Sequence, residues 1–144
     1  MNREIKFRAQ RTDTKEFVYG YYAQCGNNIN LEGIIMPKGE STEKMYNVIP
    51  DSVCQFTGLL DKNGKEIYEG DVIKWDDMSK GKYWRFAVVE MNPDILFNCK
   101  FINEVNGIKN SANHIFRFGK FIYKDTHNHI EIIGNVYENP NLIN

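Results

Sequence analysis

The chain lacks the features that mark membrane-spanning, secreted and strongly charged proteins. None of its apolar runs approaches the roughly 20 residues that cross a bilayer. Its charged start, MNREIKFRAQRTD, has no apolar stretch behind it, so no secretory signal or membrane partner is expected and the cytoplasm is the expected location. Eighteen basic and nineteen acidic side chains leave a formal charge of -1, so nucleic acid would need a local basic patch.

Cysteine and catalytic motifs are also scarce. The three cysteines, Cys25, Cys54 and Cys99, lack C-x-x-C spacing, which argues against a disulfide framework or a zinc ribbon and favours reduced thiols in or near the core. No serine lies in a G-x-S-x-G elbow, and no glycine-rich phosphate loop is present. The sequence therefore predicts a binding or assembly protein without a cofactor, and not an enzyme.

The chain does have the composition and the regularly spaced turn residues of a β-sheet protein. Hydrophobic residues make up 42% and aromatic residues 13% of its 144 residues, which is ordinary for a globular core. Short apolar runs alternate with polar residues and are separated by Gly, Asn, Asp and Pro, as in antiparallel sheets. The predicted strands are 5–9, 17–22, 33–36, 55–60, 66–68, 72–75, 84–91, 95–102, 115–123 and 130–136.

Short strands with frequent turns predict an all-β fold, an antiparallel small barrel or roll with at most short helices. Residues 1–50 are expected to form an N-terminal β-hairpin and loop layer, in which 25–47 hold loops and one edge strand. Residues 51–144 are expected to form the barrel or roll, and the two parts are compatible with one domain. A short turn of helix is compatible with the polar residues 103–113.

Three blocks of sequence stand out: REIKFRA at 3–9, QFTGLLDKNGKEIYEGDVIKW at 55–75, and IEIIGNVYENPNLI at 130–143. Together they resemble the YopX family of bacteriophage and prophage proteins. The resemblance implies a mainly β fold with SH3-barrel-like character, a phage or prophage origin, and no established activity. It supplies no catalytic residues to transfer.

The residues of the central block have structural explanations. Asn63 and Gly64 tolerate positive φ and predict a tight hairpin turn. Gly58 and Gly70 likewise suit chain reversals, and Asp71 can accept backbone N–H bonds in the turn that follows Gly70.

The C-terminal block has similar explanations. Gly134 and Asn135 suit a β-bulge or a close approach of two strands. Tyr137 can pack its ring and bond its hydroxyl to the backbone. All of these are predicted to be scaffold residues.

The stretch HIFRFGKFIYK at 114–124 interleaves basic and aromatic residues. On an exposed strand it would let a small barrel contact phosphates and stack bases, as single-strand-binding barrels do. The residues concerned are Arg117, Lys120, Lys124, Phe121 and Tyr123. The alternative is that period two places Phe116 and Phe118 opposite Arg117, so that the rings belong to the core and the cations are solvated.

A second patch surrounds the polar loop 76–82. Trp75, Tyr83, Trp84 and Arg85 are residue types that dominate protein interfaces, and loops between strands are common recognition sites. The alternative is that both tryptophans are buried in the core. The sequence leaves the two open.

Two histidines are candidates for metal binding. On a strand His127 and His129 would share one face, and with Cys99 or His114 nearby they could hold a metal. Residues 125–129 are equally compatible with a polar loop that enters a strand, and we expect no metal.

Three functional hypotheses follow. The first is a phage or prophage accessory protein that binds an unknown host or phage macromolecule and self-associates through its strand edges. The second is a single-stranded nucleic-acid-binding protein that uses residues 114–124. The third is a small metal-dependent enzyme at His127 and His129.

Overall fold

The computed structural model describes residues 5–26, 31–36, 46–76, 84–99, 115–122 and 124–142. These residues form antiparallel β-strands, one four-residue α-helix and short 3₁₀ turns, which confirms the prediction of a mainly β fold with at most short helices. The chain divides into two units, Met1–Gly58 and Leu59–Asn144. None of the helical segments among the described residues has the length and apolar character of a membrane span.

The first unit is built on one antiparallel sheet. Its strands are β1 (Phe7–Gln10), β2 (Phe17–Gly26), β3 (Leu31–Met36), β4 (Tyr46–Val48) and β5 (Cys54–Leu60), the last of which runs past the boundary of the unit. They are arranged in the order β4-β3-β2-β1-β5. The predicted hairpin of the first two strands is confirmed, with Phe7 paired to Gly20 and Gln10 paired to Phe17.

The predicted edge position of the strand at 33–36 is wrong. β3 lies between β2 and β4, with Gly26 paired to Leu31 on one side and Gly33 paired to Val48 on the other. Whether a strand is interior depends on partners that come later in the chain, which a local pattern does not contain.

The two faces of β1 and β2 differ. On one face Ala9 and Val48 are buried among partly buried apolar side chains, and the Ser52 hydroxyl accepts the Gln10 N–H at 2.8 Å. On the other face the Arg8 guanidinium lies 4.7 Å from the centre of the Phe17 ring. The unit therefore has its own small core.

The second unit contains the elements that follow β5. They are β6 (Glu66–Tyr68), β7 (Asp71–Asp76), β8 (Trp84–Met91), β9 (Ile95–Cys99), β10 (Ile115–Arg117), a 3₁₀ turn (Phe118–Lys120), α1 (Thr126–His129), β11 (Glu131–Asn135) and a last 3₁₀ turn (Pro140–Leu142). Five of the strands form a sheet in the order β10-β9-β8-β7-β11. This sheet is open among the described strands, so the predicted barrel closure is not seen there.

The core of this unit lies on one face of the five-stranded sheet. Trp75 and Phe97 are almost completely buried, and the Phe121 ring meets them edge-on at 5.2 and 5.1 Å. On the other face Val72, Phe86 and Val88 form a smaller cluster. Cys99, and Cys54 in the first unit, are fully buried, in line with the predicted position of the cysteines in or near the core; the side chain of Cys25 lies outside the described residues.

The predicted strand at 115–123 is too long. β10 ends at Arg117, and the chain turns through the 3₁₀ segment Phe118–Lys120. The turn lets the Phe118 ring stack on Phe121 with centroids 6.3 Å apart, so both rings face the core. A strand would have placed them on opposite faces.

Candidate binding groove at the edge of β10

The basic and aromatic stretch forms an edge of the second unit. β10 pairs with β9, with Ile115 opposite Asn98 and Arg117 opposite Leu96. It is the last strand of its sheet among the described strands. His114 and Tyr123, which belong to the predicted stretch, lie outside the described residues.

The rings of this stretch belong to the core. Phe121 is only 4% exposed, and Phe116 and Phe118 pack against the same core cluster. Phe116 also stacks on Phe121, with centroids 6.0 Å apart and planes 6° apart. The hypothesis that Phe121 stacks on bases is therefore wrong, since the Trp75 and Phe97 side chains already cover its ring.

The three cations have different environments. The Lys124 ammonium donates hydrogen bonds of 2.7 Å to the carbonyls of Phe118 and Gly119, so it closes the 3₁₀ turn. Arg117 lies 3.7 Å from the Asp94 carboxylate, and these two side chains are 70% and 60% exposed. Lys120 is exposed. Arg117 and Lys120 therefore remain at the surface.

A groove lies along this edge. Its volume is about 550 Å³, and it is lined by Leu96, Ile115, Phe116, Arg117 and Lys120. Ile115 is 56% exposed, which is high for a large apolar side chain. Because directly opposed residues share a face of a sheet, Leu96, Ile115 and Arg117 lie on the face opposite Phe116. The groove thus combines apolar side chains with two exposed cations.

The described residues of the predicted tryptophan patch are divided between the core and its margin. Trp75 is 2% exposed, so its assignment to a protein interface is wrong; the rings of Phe97 and Phe121 surround it. Trp84 is half-buried against the smaller cluster, with the Lys74 ammonium 4.7 Å from the centre of its ring. Arg85 is half-buried, and Tyr83 lies outside the described residues.

Lys74 also takes part in an ion cluster. The Glu131 carboxylate lies 3.4 Å from the Lys74 ammonium and 3.3 Å from that of Lys62. Desolvation raises the pKa of Glu131, but the hydrogen bonds and charges of the two lysines outweigh it and leave the pKa below its usual value. A carboxylate held ionised in this way is suited to a structural ion pair.

The two histidines do not share a strand face. They lie on the helical turn α1, where residues two apart point in different directions. The His129 ring nitrogen is 3.3 Å from an Asp125 oxygen, and Asn128 donates to the other at 3.1 Å. The Asn128 hydrogen bond, ahead of the histidine charges, lowers the pKa of Asp125.

Metal-ligating side chains do not converge elsewhere in the described part of the chain either. No group of three or more His, Cys, Asp and Glu residues there is placed to hold a metal ion. Cys99, once a candidate third ligand, is fully buried in the core.

Comparison with known proteins settles the family. The YopX protein family model matches residues 6–144. The chain belongs to the YopX family. Among solved structures, the crystal structure of protein EF1440 from Enterococcus faecalis is similar, with 24% sequence identity, a TM-score of 0.48, and coverage of 99% of this chain and 100% of that one. No curated protein matches the chain.

Asp61 is a buried residue of this YopX chain that the sequence analysis missed. It is 0% exposed, and one carboxylate oxygen accepts the N–H groups of Asn63 and Lys65, each at 2.9 Å. The other oxygen accepts the Ile132 N–H at 3.1 Å, from β11. An Asp two residues before Asn-Gly is the signal of such an Asx-type turn.

The turn around Asp61 is longer than predicted. The Asp61 N–H donates to the Lys65 carbonyl at 2.8 Å, and the Gly64 N–H donates to the Asp61 carbonyl at 3.0 Å. Gly64 has a φ of +79°, whereas Asn63 is not among the positive-φ residues. The hairpin loop is therefore three residues long with glycine in the left-handed position, and not a two-residue Asn-Gly turn.

Other residues of the central YopX motif are also scaffold. Gly58 has a positive φ but lies within β5, and not at a reversal. Gly70 has a φ of +87° between β6 and β7, and its N–H donates to the Val89 carbonyl at 2.7 Å. The buried Asp71 carboxylate accepts the Tyr68 N–H at 2.8 Å, so this bond reaches back before Gly70 and not into the turn after it.

The C-terminal YopX motif packs tightly. The β11–β7 register shifts between Ile132 and Gly134, which is a β-bulge. The Asn135 side-chain oxygen accepts the N–H groups of Tyr137 and Glu138, at 3.0 and 2.8 Å. Tyr137 itself is half-buried.

Gly134→Ala is expected to destabilise the protein by about 2 kcal/mol, because overpacking costs roughly 1–3 kcal/mol. A Cβ at this position would lie 2.6 Å from the Asn139 side-chain oxygen and 3.3 Å from Leu142 Cδ2. Asn139 cannot turn away without losing the hydrogen bond that it accepts from the Asn135 N–H. The matched control is Gly119→Ala, whose Cβ would have nothing within 4 Å. Urea unfolding measures both, and equal stabilities of the two variants would contradict the packing argument.

Proposed function

We propose that this YopX protein is a phage- or prophage-derived accessory protein of the bacterial cytoplasm that acts by binding a macromolecule, and not by catalysis. The binding surface is the groove along β10. The observation that carries the proposal is the combination of an exposed Ile115, the cations Arg117 and Lys120, and a strand at the end of its sheet among those described.

The chemistry of this edge supports binding. An edge strand presents backbone N–H and C=O groups that another chain can pair with. Exposed apolar side chains contribute burial energy on contact, and an arginine is a frequent hot-spot residue of interfaces. The groove supplies all three within a few residues of chain.

The ionisable groups elsewhere in the unit support scaffold roles. Asp61 accepts backbone N–H bonds, Glu131 is paired with two lysines, and His129 is paired with Asp125. Such partners explain these side chains without a reaction.

Self-association and nucleic-acid binding are alternative uses of the same edge. A second copy could pair its own edge strand with β10, and Arg117 with Lys120 could contact phosphates. The burial of Phe121 removes one of the rings on which a base would stack.

Site-specific photo-crosslinking tests the proposal. A photoreactive amino acid replaces Ile115 in the full chain, and in a control it replaces the exposed Lys65, in the bacterium that carries the gene. We expect a discrete adduct from position 115, weakened by Arg117→Glu with Lys120→Glu, and none from position 65. Folded protein that gives no adduct at 115 beyond that at 65 would overturn the proposal, and the mass of the adduct separates a second copy, another protein and nucleic acid.

A further inference from the structure

We infer that the groove binds an extended acidic peptide segment of a partner protein, which adds as a strand to the edge of β10. The inference rests on the proposed function and specifies its partner. It is argued from the backbone edge, the side-chain register and the charge of the groove.

The backbone of β10 is suited to strand addition. Its three residues, Ile115–Arg117, pair with β9 on one side and end the sheet among the described strands. A peptide in extended conformation gains main-chain hydrogen bonds at such an edge, whatever its sequence.

The side chains set the register of that peptide. Ile115 and Arg117 are two residues apart on one face, so they stand about 7 Å apart along the strand. A strand added beside them meets this face with every second side chain. An apolar residue and an acidic residue two positions apart would therefore contact Ile115 and Arg117 respectively.

The charge of the groove favours an anion. The bridge from Arg117 to Asp94 is 3.7 Å long and exposed on both sides, so it contributes little to the stability of the free protein. A peptide carboxylate can take the place of Asp94 at little cost. Lys120, which also lines the groove, adds a second positive charge.

The aromatic side chains favour a peptide over a nucleic acid. Sequence-tolerant binding of single strands depends on open ring faces. Here Phe121 is 4% exposed, Phe116 stacks on it, and the Lys124 ammonium covers the Phe118 ring at 4.8 Å. What the groove offers is apolar surface, mostly aliphatic, with two cations, which fits alternating apolar and acidic side chains.

Fluorescence polarisation with the full chain tests the inference. The probe is a labelled octapeptide, Thr-Val-Thr-Glu-Thr-Val-Thr-Glu, and its matched control has lysine in place of both glutamates. We expect the acidic peptide to bind about tenfold more tightly than the control, which corresponds to about 1.4 kcal/mol. Two further peptides carry N-methyl groups on every second main-chain nitrogen, one on the odd-numbered and one on the even-numbered residues. One of the two should fail to bind, because its N–H groups that face β10 have been removed.

Protein variants localise the binding. Arg117→Glu with Lys120→Glu is expected to weaken binding of the acidic peptide about tenfold. Lys65→Glu, which changes an exposed cation outside the groove, should leave it unchanged. Circular dichroism verifies that both variants are folded.

Each outcome is decisive. Equal affinity for the acidic and basic peptides, or no effect of the Arg117 and Lys120 changes, would overturn the inference. Binding of an oligothymidine but not of the acidic peptide would also overturn it, while the proposed macromolecule-binding role of the groove would stand. If neither probe binds, the inference fails. If, in addition, position 115 gives no specific crosslink in cells, the proposed function fails with it.

Discussion

Trp75→Ala is expected to lower the free energy of unfolding by about 4 kcal/mol, because removal of a buried aromatic side chain costs roughly 3–5 kcal/mol. Trp75 is 2% exposed and contacts Phe97, Phe116 and Phe121, with ring centroids 5.2 to 6.1 Å apart. One of these rings comes from β9 and two come from the stretch 115–122, and alanine would leave a cavity that none of them can fill without breaking its other contacts. Against a typical domain stability of about 5–15 kcal/mol this is a large fraction.

The matched control is Trp84→Ala, in the neighbouring strand. Trp84 is half-buried against the smaller cluster and carries the cation–π contact with Lys74, so we expect a loss of about 1 kcal/mol from that contact and its packing. Urea unfolding followed by far-ultraviolet circular dichroism compares the two. If Trp84→Ala were the more damaging change, the assignment of Trp75 to the core and of Trp84 to its margin would be wrong.

Asp61→Ala is expected to destabilise the protein by about 3 kcal/mol. The change removes the acceptor of three backbone N–H groups, those of Asn63, Lys65 and Ile132. An unsatisfied buried donor costs roughly 1–3 kcal/mol, and water can replace the acceptor more easily at the exposed hairpin loop than at Ile132. Both the loop and the end of β11 should therefore loosen together.

Hydrogen exchange and urea unfolding measure this effect. Asp61→Asn keeps the shape of the side chain and one acceptor oxygen. It should therefore destabilise the protein less than alanine does, while it still weakens the hydrogen bonds made by the other oxygen. Asp94→Ala, which removes an exposed carboxylate, is expected to change stability by no more than about 0.5 kcal/mol. Unchanged protection of the Ile132 amide in Asp61→Ala would contradict the bridging role.

Local sequence was sufficient for most of the strands. β6 and β8 begin and end where alternation of apolar residues placed them, at 66–68 and 84–91. It also placed Arg117 on the face opposite Phe116, as the structure shows. These predictions succeed because side-chain alternation is a property of each strand by itself.

Predictions failed where the deciding contact is distant in the chain. The sequence offers Phe121 for base stacking and Trp75 for a protein interface, and only the contact of both rings with Phe97 shows that they are buried. The importance of Asp61 depends on Ile132, 71 residues later. For His127 and His129 the sequence left a strand and a polar loop open, and the structure has a helical turn instead. A single helical turn is too short to leave a periodic pattern in the sequence.

The sequence by itself determined a mainly β YopX chain with glycine-dependent turns, because these follow from alternation, from the special backbone freedom of glycine and from the family motifs. Only the tertiary structure decided which aromatic rings are buried, which cations stay in solvent, and where the sheet ends. Burial and edges are properties of how strands pair, and strands with the same local pattern can lie in the middle of a sheet or at its rim.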